Sequence, residues 1–314
     1  MTKNIKKYFK MKKLIISIIA VFIFCENIHA QAIWTQLRSI YVLNTTVVDS
    51  GNIRILYAFN ATDISKQETY DDLQRLEIGK NISKYYSYFN FNNDSLNNVE
   101  NKKIQHNVNV VRYNFNLSET TISDKNKENG VYHRLGVIGK KETWDEYIYS
   151  EYFKDYAKNV LTHYIRKPYG LISSFQYSED IPVQDWEIAE DTLSIAGYLC
   201  QKATCTFRGR NFTAWFTMDI PVQNGPWKFG GLPGLILKVY DDDKLYEFEC
   251  VKIESFNEKY LIEIGDYKGY EKTDRQKSLK FIKRLYDDYY NVARIRRSDG
   301  KVWQKIPYNP LELE

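Results

Sequence analysis

The chain has 314 residues, 43% of them hydrophobic and 27% charged, which excludes wholesale disorder and admits one large domain or two small ones. Residues 1–30 hold six Lys and one Glu, so of the 44 basic and 40 acidic residues 38 and 39 remain beyond them, a net charge of −1. That balance excludes the basic surface that nucleic-acid binding requires.

The amino-terminal stretch has the form of a secretory signal peptide. Lys3, Lys6, Lys7, Lys10, Lys12 and Lys13 make a positive region, and Leu14–Phe24 is an apolar run too short to span a bilayer. Met11 could serve as the start. Cleavage is expected after Ala30, with the triplet Ala30–Gln31–Ala32 as the second choice. Cys25 does not suit lipid attachment, because bulky Phe22–Ile23–Phe24 precedes it. Residues 31–314 are then read as one exported β-rich domain, periplasmic or extracellular, with no later membrane span. Aromatic residues make up 15% of the chain, with 26 Tyr, and they favour pleated, half-buried surfaces.

In chain order, Tyr41–Val48 and Ile53–Phe59 alternate as strands. Leu73–Phe89 reads as a hairpin turning at Gly79–Lys80–Asn81. Asn90–Asn107 and Ser118–Gly130 are polar loops around a strand at Val108–Leu117, and Val131–Ile138 resumes the β pattern. Trp144–Tyr164 admits a helical stripe through Tyr149, Tyr152, Tyr156, Val160 and Tyr164. The polar break at Lys154–Asn159 favours two strands and a turn instead. Leu171–Tyr177 and Trp186–Ile188 continue the strands. Ile195–Phe207 and Asn211–Asp219 form a longer hairpin about Arg208–Gly209–Arg210. Leu245–Ile253 and Tyr260–Ile264 read as two further strands. Thr273–Asp274–Arg275–Gln276 has the form of a capping box with Thr273 as N-cap. It opens a helix over 273–296 whose apolar stripe is Leu279, Ile282, Leu285, Tyr286, Tyr289 and Ala293.

Between the longer hairpin and the next strand lies Gly225–Tyr240, GPWKFGGLPGLILKVY, the densest backbone punctuation in the chain. Gly225–Pro226 opens it and Gly230–Gly231 loosens it. Leu232–Pro233–Gly234–Leu235 has the form of a type II turn, with φ > 0 expected at Gly234. Leu235–Val239 then reads as a buried strand. The stretch specifies shape and offers no evident catalytic group. Trp227 and Phe229 among its glycines, with Trp215 on the preceding strand, are the candidate ligand- or partner-binding side chains; the competing reading packs them over the core.

Familiar chemistries fail on composition. The glycine spacing of Gly225–Gly230 is that of a P-loop, but Gly231–Leu232 stand where Lys and Ser/Thr belong. Beyond the signal stretch only His106, His133 and His163 occur, without metal-ligand spacing. Asp241–Asp243 lacks the ligand pattern of an EF-hand loop, and no G-x-S-x-G elbow is present. No cofactor or metal is expected. Cys200 and Cys205 lie five apart on one strand, on opposite faces, and cannot pair. A bridge from Cys205 (or Cys200) to Cys250 stays open beside the reading of small buried thiols.

The run GGLPGLIL at Gly230–Leu237 resembles the motif that names the GLPGLI family of Bacteroidetes proteins. LEIGKNISKYYS at Leu76–Ser87, GYLCQKATCTFRGR at Gly197–Arg210, AWFTMDIPVQNGPWKF at Ala214–Phe229 and NPLEL at Asn309–Leu313 extend the resemblance over most of the chain. It implies an exported protein of a didermal bacterium with no assigned activity, and it brings no catalytic residues. The expected fold is mainly β, one strongly curved antiparallel sheet or open half-barrel of about ten strands with the carboxy-terminal-region helix packed on it. Such a sheet is similar to the half-barrels of periplasmic lipoprotein carriers, an analogy of fold alone. The functional expectation is a non-enzymatic binding protein for a lipid-like ligand or a peptide segment. The alternatives are an interaction subunit of an outer-membrane assembly and a hydrolase with dispersed residues.

Overall fold

Twelve strands form a single open sheet that does not close into a barrel, and one helix packs against it. The computed structural model describes residues 45–91, 146–147, 149–166, 174–288, 291–292 and 308–314. The amino-terminal signal stretch, the strands expected at Val108–Leu117 and Val131–Ile138, and His106 and His133 lie outside them.

The strands are β1 (Thr46–Phe59), β2 (Asp72–Gly79), β3 (Ile82–Ser87), β4 (Ser150–Asp155), β5 (Val160–Ile165), β6 (Phe175–Asp180), β7 (Glu187–Ile195), β8 (Tyr198–Phe207), β9 (Arg210–Thr217), β10 (Leu235–Asp241), β11 (Glu247–Ile264) and β12 (Glu271–Lys272). Their order across the sheet is β12-β6-β5-β4-β3-β2-β1-β11-β10-β9-β8-β7. All pairs are antiparallel except β12 with β6.

The hairpins at Gly79–Asn81 and Arg208–Arg210 form as expected, and Trp144–Tyr164 contributes two strands rather than a helix. Other expectations change, and the two strands expected at Tyr41–Val48 and Ile53–Phe59 meet in the single strand β1. Ile195 ends β7 instead of opening β8, because Ala196 and Gly197 both take positive φ, 50° and 85°, and turn the chain there. The two strands expected at Leu245–Ile253 and Tyr260–Ile264 are one, β11. Its partner β1 passes from the Gly51–Tyr260 pair to the Ile53–Ser255 pair, so the four residues between Ser255 and Tyr260, three of them polar, bulge out of the ladder without ending it.

One face of the sheet carries the main core. A direct cross-strand row runs Ile253, Ile55, Leu76, Tyr85, Tyr152, His163, Tyr177. A second row beside it runs Ile53, Ile78, Ser83, Lys154, Leu161, Glu179. Both are apolar at the centre of the sheet and turn polar toward β4–β6, on the same inward face. Residues of β1–β5 and of β8–β11 share one buried cluster, so the two halves of the sheet enclose a common interior.

The helix α1 (Arg275–Asp287) is capped by Asp274, whose carboxylate accepts from Lys277 N at 2.8 Å. Thr273 is not the cap. Its N–H donates to Gln176 O at 2.9 Å, so the chain is still paired with β6 at that residue. Ile282 and Leu285 pack on Ile165, Phe175 and Tyr177 at the β5–β6 end, with Ser278 as the third buried helix position.

Candidate functional site

The connection 218–234 is a long loop of the β9–β10 hairpin. Thr217 and Leu235, the residues that flank it, pair directly. The loop folds back onto the inward face and carries the glycine-rich motif into the core. Phe229 is fully buried, and its ring meets Phe212 at 4.8 Å and Trp227 at 5.2 Å between centroids. Trp227 and Leu232 are buried beside it. Gly234 does not have the positive φ that a type II turn demands. Trp227 at +52° and Gly231 at +82° are the positive-φ residues of the stretch. What Gly234 supplies is clearance, because a Cβ there would lie 2.0 Å from Thr217 O. Phe229 N donates to Pro226 O at 3.0 Å, closing a turn with Trp227 and Lys228 at its centre. Positive φ at the first central residue alone is the II′ pattern, which a bulky side chain adopts only under constraint.

An irregular loop can be buried only if its peptide groups find partners. Lys154 Nζ on β4 donates to Phe229 O at 2.6 Å and to Asn224 Oδ1 at 3.1 Å. Trp186 Nε1 donates to Gly230 O at 2.8 Å, and Gln184 Oε1 accepts from Gly230 N at 3.0 Å. Lys154 thus faces uncharged oxygens, and burial pushes its ammonium down to about 7. The sign follows from the protons bound. Between about 7 and the ordinary 10.5 the unfolded chain holds a proton on Lys154 that the native state does not, so this group makes stability rise with pH across that window. Lys154→Met is expected to flatten that rise, measured as urea midpoints at pH 7 to 10 for variant and parent; equal slopes would refute it.

Lys228 is among the most deeply buried charged side chains of the described residues. Its Nζ lies 2.6 Å from Glu179 Oε1, bonds Glu312 Oε1, and donates to Tyr177 OH at 3.1 Å. Arg275 bonds the other oxygen of Glu312, and Arg208 reaches Glu179 Oε2 at 2.8 Å. Burial alone would push the Glu312 carboxyl up, but Lys228 and Arg275 outweigh it and hold it below the usual range.

From Tyr177 the bonds continue inward. Tyr177 OH lies 3.0 Å from His163 Nδ1, His163 Nε2 lies 2.7 Å from Ser150 Oγ, and Ser150 Oγ donates to Glu146 O. The bonds assign one polarity. The ammonium can only donate, so Tyr177 passes its hydrogen to Nδ1, and Nε2–H donates to a serine hydroxyl already committed to a carbonyl. Burial, aided by Lys228, holds the imidazole well below its ordinary titration range, so it is neutral. A base for Ser150 would need its lone pair on Nε2, and here that nitrogen carries the hydrogen. Ser150 is also buried, at 1% exposure. The pair is therefore wired as a core strut, not as a nucleophile and base.

Of the candidates read from sequence, Trp227 and Phe229 come together in the core, while Trp215 lies half-buried on the opposite face of β9 from Phe216. Gly225, Pro226, Gly230, Gly231, Leu232, Pro233 and Gly234 form the loop, and Leu235 begins β10. Cys200, Cys205 and Cys250 are free thiols, so no bridge joins Cys205 to Cys250. Burial pushes the last two up to about 12 and makes them unreactive. Cys200 and Cys205 belong to the same buried cluster despite their parity. Among the described residues no group of three His, Cys, Asp or Glu is placed to hold a metal. Sequence reading missed Lys154, Tyr177, Glu179, Lys228, Arg275 and Glu312. Two signals were available. Lys228 is a lone charge between aromatics and glycines, and His163 falls in alternation with Leu161 and Ile165.

Comparison with known proteins bears on this same segment. The family described as "Protein of unknown function (Porph_ging)" matches residues 206–238, from the end of β8 through the loop into β10. No curated protein matches. Two solved structures of PNGF-II, in the P21 and C2 space groups, align with TM-scores of 0.43 and 0.41 at 11% and 12% identity, over 74% and 73% of this chain and 33% and 31% of theirs. The chain spans about a third of the length of those structures, and a likeness this loose carries no functional argument.

Proposed function

We propose that the protein is an exported, non-enzymatic binding protein of the GLPGLI kind that takes an extended, basic segment of a partner polypeptide along strand β7. The observation that carries this reading is the exposure of β7. It ends the sheet order among the described residues, and apart from Ala189 and Ile195 every residue of it is exposed. Ile188 and Leu193 are exposed apolar side chains on it, and Leu199 on β8 is exposed nearby. An edge strand of this kind offers backbone groups to an added strand and alternate side chains for specificity. Glu187, Glu190 and Asp191 give the edge an acidic character that suits a basic partner. They disfavour a second copy, since β7 laid antiparallel on β7 would oppose like charges.

The lipid-like ligand is the second reading. It is weakened where Trp227, Phe229 and Leu232 fill the interior that an acyl chain would need. The Lys-rich start and Leu14–Phe24 support export, and the GGLPGLIL run lies within the matched segment 206–238. A partner in an outer-membrane transport or secretion assembly fits that location.

The test is site-specific photo-crosslinking in intact cells, with the probe at Leu193 and a control at Leu261, which is exposed on β11. A discrete adduct is expected at Leu193 alone, lost with Ala189→Pro and at 1 M salt, where the Debye length falls to about 3 Å. Free monomer alone at Leu193 would overturn the reading, and acyl lipids in an organic extract of the purified protein would favour the second.

A further inference from the structure

Residues 308–314 belong to no strand or helix, yet five of them are held the way a domain holds a linear peptide. The β8–β9 turn does much of the holding. Arg210 Nε and Nη2 donate to Pro310 O at 2.8 and 2.7 Å, and Nη2 also bonds Asn309 Oδ1. Asp241 fixes that guanidinium from behind at 3.0 Å. Arg208 O accepts from Leu313 N at 2.9 Å. A Cβ on Gly209 would meet Leu313 Cβ at 2.9 Å, so the glycine lets the segment pass. The side chains are read as well. Leu311 is buried in the main core, and its N–H donates to Tyr147 OH at 2.9 Å. Glu312 is held between Lys228 and Arg275.

A clamped carbonyl, a seated leucine, a carboxylate between two cations and a paired backbone N–H make a sequence-reading groove. None of these contacts depends on the segment being joined to α1. We propose that this groove is a recognition site for an Asn-Pro-Leu-Glu segment, filled in cis by residues 308–314, and that it accepts the same segment from a second copy of this chain when the cis segment is withdrawn. The cis segment wins at ordinary concentrations, because a tethered ligand acts at an effective concentration on the order of millimolar. The site is separate from the β7 edge and stands without it.

The test uses a variant lacking residues 308–314 and a labelled peptide of sequence YNPLELE. Fluorescence anisotropy is expected to show saturable binding, weakened about tenfold or more by Glu312→Lys in the peptide. A folded deletion variant with no saturable binding, or binding indifferent to Glu312→Lys, would overturn the proposal. If the deletion variant does not fold, the full chain carrying Glu312→Ala decides. Unlabelled peptide at a hundredfold its Kd is expected to raise its Tm by about 5 °C, and an unmoved Tm overturns the proposal. The second-copy clause is tested by mixing Glu312→Ala chain with a full-length Arg210→Ala donor, whose segment is intact and whose own clamp is lost. Sedimentation is expected to show a 1:1 complex, and monomers alone would overturn that clause.

Discussion

Gly234→Ala is expected to destabilise the fold by about 3 kcal/mol, the upper range for forcing atoms into a filled site. Gly231→Ala should cost about 1 kcal/mol. The two glycines are required for different reasons. At Gly231 the backbone has φ +82° but nothing lies within 4 Å of a new Cβ, so only conformational strain is added. At Gly234 the φ is ordinary for any residue, and the methyl group would strike Thr217 O at 2.0 Å and Thr217 C at 2.7 Å. Thr217 pairs with Leu235 at the mouth of the loop, so the clash parts the hairpin where the loop leaves the sheet. A type II turn at Leu232–Leu235 would instead limit the cost at Gly234 to that of a positive φ, about 1 kcal/mol. Chemical denaturation of both variants decides between the two, and a Gly234→Ala midpoint equal to that of the parent would remove the close approach from the account.

Lys228→Met should cost about 3–5 kcal/mol, the usual penalty for stripping one partner from a buried ion cluster. The methionine would keep most of the side-chain volume, but Glu179 and Glu312 would lose the ammonium between them. Arg275 and Arg208 still reach these carboxylates, so Glu312→Gln added to Lys228→Met is expected to restore part of the loss. The pH dependence gives an independent readout. In the parent, Glu312 titrates below its ordinary value, so its stabilisation is present above the unfolded pKa near 4.5 and is lost as pH falls through the lower, folded value. Without Lys228 that carboxyl rises, and the acid-unfolding midpoint followed by circular dichroism should move to higher pH. An unmoved midpoint would mean that Lys228 is not what holds Glu312 ionised.

Much of the fold was legible because strands announce themselves through alternation. Leu161, His163 and Ile165 alternate inward, and Gly79–Asn81 and Arg208–Arg210 mark their turns by composition. The misreadings have local causes. Ala196–Gly197 is a weak turn signal because alanine seldom takes positive φ, and the φ of 50° there is imposed by the hairpin. Thr273 and Asp274 are both good caps, and the pairing of Thr273 with Gln176 on β6 decides between them. The bulge in β11 was unreadable because a polar run within one strand looks the same as a loop between two.

The candidate site was legible only as a motif. The glycines, Pro226, Pro233 and the aromatics of GPWKFGGLPGLI specify by themselves that the backbone must turn and pass close to something, since those residue types are needed for little else. What it passes close to is a matter of tertiary structure. Thr217 O, the reason for Gly234, is brought there by hairpin pairing. Lys228 meets Glu179 from β6 and Glu312 from the far end of the sequence, partners 49 and 84 positions away. The identities of the residues are local information, whereas an ion pair or a steric contact exists only between atoms that the folded sheet has placed side by side. The sequence alone thus determined a β protein built about a tightly turning loop, and the assembled sheet decided that the loop is pinned in the core by a lysine whose counter-charges come from β6 and from the far end of the sequence.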